Sequence, residues 1–165
     1  MIELISKCGI CYSTDNSDKF TSFKRNYKLK HYNYNKDYII ASAEESLKNL
    51  QTDYLDLLLL HRPSPLMNFD EIKDTLNILK SQGKIKDYGV SNFSAPQMAL
   101  AESRFKIKAN QIECALTQNT AMFDGTLDYM QQHDILAMSW SPLGSYFGVK
   151  NVHNSRIKKV LKTLY

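Results

Sequence analysis

Apolar residues gather in one short run, Tyr54-Leu55-Asp56-Leu57-Leu58-Leu59-Leu60, which stops abruptly at His61-Arg62-Pro63. The run is far below the ~20 residues a membrane-spanning helix needs. It predicts a strand over 54–60 buried on both faces, as in parallel sheets. Further strands are predicted over about 2–6, 86–90, 109–113 and 135–140. Between them the apolar spacing changes to a helical period. Ile39, Ala43, Leu47 and Leu50 form one helical face, predicting a helix over 37–50. Ile72, Leu76 and Leu79 predict a second over 69–82, with Asn68 as N-cap and Gly83 ending it in the left-handed conformation. Ser94-Ala95-Pro96-Gln97 fits a capping box, with the proline in the tolerant first turn, and opens a short helix to about 103. Leu127 and Met130 mark a helix near 124–133. Ile157, Val160, Leu161 and Leu164 mark a last one near 154–164. The segment between the first strand and first helix is polar, carrying Asp15-Asn16-Ser17-Asp18 and Asn33-Tyr34-Asn35-Lys36. It is long for a βα connection, which suggests a functional or mobile loop. No two-residue hairpin signal appears. Strand and helix therefore alternate, predicting an α/β fold of about five parallel strands with right-handed crossovers.

Length and composition narrow the choices. The 165 residues suggest one domain, and a hydrophobic content of 43% is enough for a core. The formal charge of +4 suits an anionic ligand such as a dinucleotide, although such a mild excess is more often just a solvated lysine surface. No basic run interleaved with aromatics suggests nucleic acid as a partner. There is no apolar segment of membrane-spanning length and no secretory leader pattern, so a cytoplasmic location is expected. Cys8 and Cys11 form a C-x-x-C and Cys114 stands alone, whereas a structural zinc site wants a second ligand pair. His31, His61, His133 and His153 lack metal-binding spacing, so no metal is expected. No GxGxxG is present to support a Rossmann site.

Candidate chemistry lies where the strands end. Lys7, His61 and the pair Ser91-Asn92 each follow a predicted strand. In open α/β sheets and barrels, ligands bind at the carboxyl ends of the strands. A lysine there can stabilise a neighbouring phenolate and lower a tyrosine pKa. A histidine there can donate a hydrogen bond to a carbonyl oxygen and orient it. The plainer account is a surface lysine, a histidine capping backbone carbonyls and a serine-asparagine turn. Trp140, the only tryptophan, is either a core residue or a stacking platform.

Asp53-Tyr54-Leu55-Asp56-Leu57, Gly89-Val90-Ser91-Asn92-Phe93, Asn110-Gln111-Ile112-Glu113 and Trp140-Ser141-Pro142-Leu143-Gly144 occur in that order, with Lys7 upstream. Together they resemble the aldo-keto reductases over nearly the whole chain. The resemblance implies an incomplete TIM (β/α)8-type barrel, because a complete one takes ~250 residues. The chain matches roughly the third to seventh βα units, as a single truncated domain over 1–165. The implied activity is NADPH-dependent reduction of small aldehydes or ketones to alcohols, with NADH as the alternative donor. Lys7 and His61 take the family's supporting catalytic roles. Ser91, Asn92 and Gln111 match residues that hydrogen-bond the nicotinamide carboxamide. Trp140 matches the aromatic that stacks on the nicotinamide, commonly a tyrosine. Ser141, Leu143 and Gly144 match positions near the pyrophosphate. The family's aspartate and tyrosine acid belong to a strand that would precede Met1, and Tyr12 does not match that tyrosine. The alternative is a non-catalytic member: a nucleotide-binding or interaction subunit, or a gene remnant. Five strands cannot close an eight-stranded barrel, so self-association through open strand edges is expected.

Overall fold

The structure, a computed structural model, describes residues 2–13, 29–115 and 118–142. Seven strands and four helices run in the order β1 (Ile5–Cys8), β2 (Ile10–Ser13), β3 (Leu29–Tyr32), α1 (Lys36–Leu50), β4 (Leu55–Leu60), α2 (Phe69–Ser81), β5 (Ile85–Ser91), α3 (Ala95–Glu102), β6 (Ala109–Glu113), α4 (Thr126–Gln132) and β7 (Leu136–Trp140). A single 3-10 turn, Thr120–Met122, precedes α4. Strands β1-β4-β5-β6-β7 form one five-stranded sheet in which every pairing is parallel. The sheet and its crossover helices form the expected incomplete barrel.

Period-2 alternation divides the sheet into two faces. Ser6, Leu58, Leu60, Val90 and Ile112 point towards the helices. The large core behind the sheet joins Leu58, Leu60 and Val90 to Ile39, Ala43 and Leu47 of α1 and to Ile72, Leu76 and Leu79 of α2. The opposite face carries a smaller cluster of Leu57, Leu59 and Ala109, with Ile5 and Met138 packed against it. Gly89 lies on this face at a point of close approach. A Cβ there would stand 2.3 Å from the Ala109 carbonyl oxygen, so only glycine lets β5 and β6 run so close.

Helix boundaries follow from local chemistry. The Asn35 side chain accepts from Tyr38 N at 2.9 Å and starts α1. Asn68 accepts from the amides of Asp70 and Glu71 and starts α2. Gly83, at φ +71°, lies just past α2, with its amide and that of Lys84 bonded back to Lys80 and Leu79. At α3 the Gln97 side chain accepts from Ser94 N at 2.9 Å, the predicted capping box.

The structure corrects the sequence reading at several points. The first strand runs over Ile5–Cys8 rather than 2–6, because Asp56 accepts the Leu4 amide at 2.8 Å and delays the ladder. Ile2 is accordingly 86% exposed. Lys7 thus lies inside β1, not after it. Leu50 was expected on the buried face of α1, yet it is 47% exposed, because the helix ends there at the left-handed cap of Gln51. The polar connection also contains an antiparallel pair, β2 with β3, registered Ile10↔Tyr32 to Ser13↔Leu29. The loop segment Asp15–Asp18 and the expected helix over 154–164 lie outside the described residues.

Candidate functional site at the carboxyl ends of the strands

The inner face gathers most of the predicted residues. Lys7 pairs in register with Leu59, two residues before His61, so Lys7 and His61 project from the same face of adjacent strands. Ser91 is the last residue of β5 and registers with Gln111, which lies within β6 rather than beyond it. Gln111 registers with Met138, two residues before Trp140 at the end of β7. Lys7, His61, Ser91, Gln111 and Trp140 therefore share one face, towards one end of the sheet. Asn92 and Ser141, directly after β5 and β7, have positive φ of 60° and 52°, which turns the chain sharply at both strand ends. Leu143 and Gly144 lie outside the described residues.

A hydrogen-bonded chain ties β5, β6 and β7 together. The Ser91 hydroxyl donates to the Gln111 carbonyl at 2.8 Å, and the Asn92 amide N–H donates to the same oxygen at 2.9 Å. Asn92 Nδ2 donates to Ser91 Oγ at 2.8 Å. Trp140 Nε1 donates to Asn92 Oδ1 at 2.8 Å, which fixes the indole beside the serine-asparagine turn. Behind them the buried Asn110 side chain donates to the Phe93 carbonyl at 2.8 Å and holds the turn down. The sequence assigned no role to Asn110, because in a strand with Gln111 and Glu113 a further polar residue does not stand out. Gln111 Oε1 is different. It is buried and has no hydrogen-bond partner among the described residues. Buried acceptors are rarely left so, and this one is poised for a donor.

Charge is concentrated on the other side of the site. Burial lowers the Lys7 pKa from its ordinary 10.5, and the neighbouring Arg62 guanidinium lowers it further. Burial likewise lowers His61 from 6.5, helped by Lys7, Arg62 and Lys30. His61 is therefore neutral at pH 7, with one ring N–H to donate. The His61 backbone amide donates to the Cys8 carbonyl at 2.9 Å, extending the β1–β4 ladder to the site.

Two further residues shape the site. Arg62 places its guanidinium carbon 5.4 Å from the centre of the Trp140 ring. Tyr34 is buried in the loop before α1, and its hydroxyl accepts from Arg62 N at 3.0 Å and donates to the Arg62 carbonyl. Arg62 was legible as the neighbour of His61. Tyr34 was hidden in a stretch read as polar loop. Among the described residues no group of three or more histidine, cysteine or acidic side chains is arranged to hold a metal. No described helix is long and apolar enough to cross a membrane.

A parallel βα sheet whose crossover helices cover one face, with a lysine, a histidine, a serine-asparagine turn and a tryptophan gathered at one end of the other, defines a barrel-type α/β protein. The chain belongs to the aldo/keto reductase family, whose model matches residues 4–162. It is 44% identical over 145 residues to the oxidoreductase YdhF of Escherichia coli (strain K12), covering 87% of this chain and 46% of that one. It is 37% identical over 145 residues to a 6-dehydroglucose reductase of Agrobacterium fabrum, again covering 87% of this chain and 46% of that protein. An aldo/keto reductase from Klebsiella pneumoniae, solved in complex with NADP and acetate, superposes with a TM-score of 0.66 at 29% identity, covering 79% of this chain and 47% of that one. The chain thus spans about half the length of the relatives it matches.

Proposed function

We propose that the site binds the nicotinamide end of NADPH and serves the reduction of a small aldehyde or ketone to an alcohol. The single observation that carries this reading is the buried, unpartnered Oε1 of Gln111 beside Asn92 and Trp140. A carboxamide offers both a donor for that oxygen and an acceptor for the second hydrogen of Asn92 Nδ2, whose first goes to Ser91. The Trp140 ring supplies the stacking surface. Ser141, Leu143 and Gly144 continue towards the pyrophosphate in this reading. Bound there, the dihydronicotinamide supplies a hydride.

This chain's own residues do the positioning. Neutral His61 donates a hydrogen bond to the substrate carbonyl oxygen and orients it. Lys7, held as an ammonium in a partly desolvated place, stabilises negative charge developing on neighbouring oxygen. The general acid and its aspartate are supplied from outside the matched residues. A second reading is a family member that binds nucleotide at this site without catalysing reduction, and the same Gln111 acceptor supports it. Both readings share the cofactor site.

Titration of the folded chain with NADPH, followed through Trp140 fluorescence, tests that site. Saturable quenching is expected, and Gln111→Leu, which removes the orphaned acceptor, weakens it severalfold with the circular dichroism unchanged. A folded chain whose fluorescence ignores NADPH overturns the reading. Quenching without turnover of any aldehyde leaves the binding-subunit form.

A further inference from the structure

We propose that Arg62 is an anion-recognition residue and that the carbonyl compound taken by this site carries an oxyanion group, a carboxylate or a phosphate, beside its aldehyde or ketone. The proposal rests on the reading of His61 as the residue that orients the carbonyl.

Arg62 follows His61, and its guanidinium reaches the Trp140 ring, which stands on the same face as His61. Its backbone is pinned on both sides, because the Tyr34 hydroxyl accepts from its N–H and donates to its carbonyl. Pro63 follows and restricts it to extended conformations. The side chain is settled as well, with the guanidinium 5.4 Å from the centre of a Trp140 ring that is itself fixed by Asn92. A residue held so firmly loses little freedom when it takes a ligand.

Among the described residues it has no acidic partner. Lys80, Lys84, Lys86 and Arg104 each meet a carboxylate, at 2.9, 2.6, 2.7 and 3.4 Å. Arg62 makes no ion pair among the described residues, and neither does Lys7. Glu113, which shares a register position with Trp140, makes none with either. Arg62 nevertheless lies close enough to Lys7 and His61 to lower the pKa of both. Two like charges, Lys7 and Arg62, share a half-buried mouth with the neutral His61 and repel one another until an anion enters. A planar guanidinium matches carboxylate and phosphate oxygens two at a time.

The test uses 4-carboxybenzaldehyde and its uncharged methyl ester on the folded 165-residue chain, by isothermal titration calorimetry with and without NADP+. The carboxylate is expected to bind roughly tenfold more tightly or better, the range of one charge-assisted bond. The preference shrinks to within about twofold in Arg62→Met, survives in part in Arg62→Lys, and falls with added salt. Equal binding of the two aldehydes, binding of neither, or a preference that persists in Arg62→Met overturns the proposal. So does a loss of NADP+ affinity in Arg62→Met with the carboxylate preference intact, which would assign the guanidinium to the cofactor's phosphates. A carboxylate preference in a chain that ignores NADP+ supports Arg62 while removing the cofactor reading. NADP+ binding without any carboxylate preference does the reverse.

Discussion

Asn92 does three things from one position. Its φ of +60° turns the chain at the end of β5, its Oδ1 holds Trp140, and its Nδ2 meets Ser91. Asparagine tolerates the left-handed region better than most residues. Asn92→Gly keeps the turn but removes both side-chain bonds, and should cost roughly 1 kcal/mol by urea denaturation. Asn92→Ala adds a Cβ in an unfavourable conformation, and should cost about 1 kcal/mol more. Both should shift Trp140 emission, because its N–H loses the same acceptor. If alanine proves no worse than glycine, the backbone contributes nothing at this turn. His61 makes a different prediction, through pH. Its folded pKa lies below its ordinary 6.5, so within that interval the unfolded chain holds more protons and stability rises with pH. Above 6.5 the penalty is absent. Below the folded pKa it is fully imposed, as a cation is forced beside Lys7 and Arg62. Urea midpoints should therefore fall on acidification below 6.5, and His61→Gln should flatten that part of the profile. An unchanged slope in the variant would mean that other groups carry the acid sensitivity.

At the scale of elements, the corner between β1 and β2 governs how the site is held. Gly9 has φ +109°, and a Cβ there would stand 2.1 Å from Cε1 of the Tyr34 ring. Tyr34 in turn pins the backbone of Arg62. Gly9→Ala combines backbone strain with a collision that a ring wedged in the core cannot relieve, and should cost roughly 3 kcal/mol. Tyr34→Phe keeps the ring but strands the Arg62 N–H and carbonyl, and should cost roughly 1–3 kcal/mol. Chemical denaturation of each checks both values, and a Gly9→Ala chain of native stability would show that the corner can open freely. The same corner shows where the sequence was opaque. Parallel strands were legible because 57–60 is buried on both faces and so continuously apolar. Helices α1 and α2 were legible from spacing and caps. The β2–β3 pair was not, because fifteen residues separate its strands and no two-residue turn announces it. Register was legible only in part. Lys7 fell inside its strand because a side chain, Asp56, intervened in the ladder, and that is a tertiary event. The site residues were named through their strings. Gln111's unpartnered oxygen, and the want of an ion pair to Arg62 among the described residues, became visible only once neighbouring strands stood beside them.

Across the whole molecule the inner face is half covered. Leu59 at its centre is fully buried, whereas Leu136 on the same face of β7 is 58% exposed. Ile5 on β1, at the other end of the sheet, is only partly covered. Among the described residues, β1 and β7 each pair on one side only, leaving rows of N–H and C=O groups open. An exposed leucine on an open edge strand favours pairing with another chain. We therefore expect the 165-residue chain to self-associate at micromolar concentration, with multi-angle light scattering reporting a mass well above 19.0 kDa. Leu136→Lys places a charge on the open face of β7 and should shift the population towards monomer, while the buried cluster around Leu57, Leu59 and Ala109 keeps its packing. The two effects separate by experiment. Association that survives Leu136→Lys but yields to a lysine at Ile5 would place the contact at β1. A wild-type chain that is monodisperse at 19.0 kDa and unfolds cooperatively would show that the half-covered face is satisfied within one chain, and would remove the edge-pairing expectation altogether.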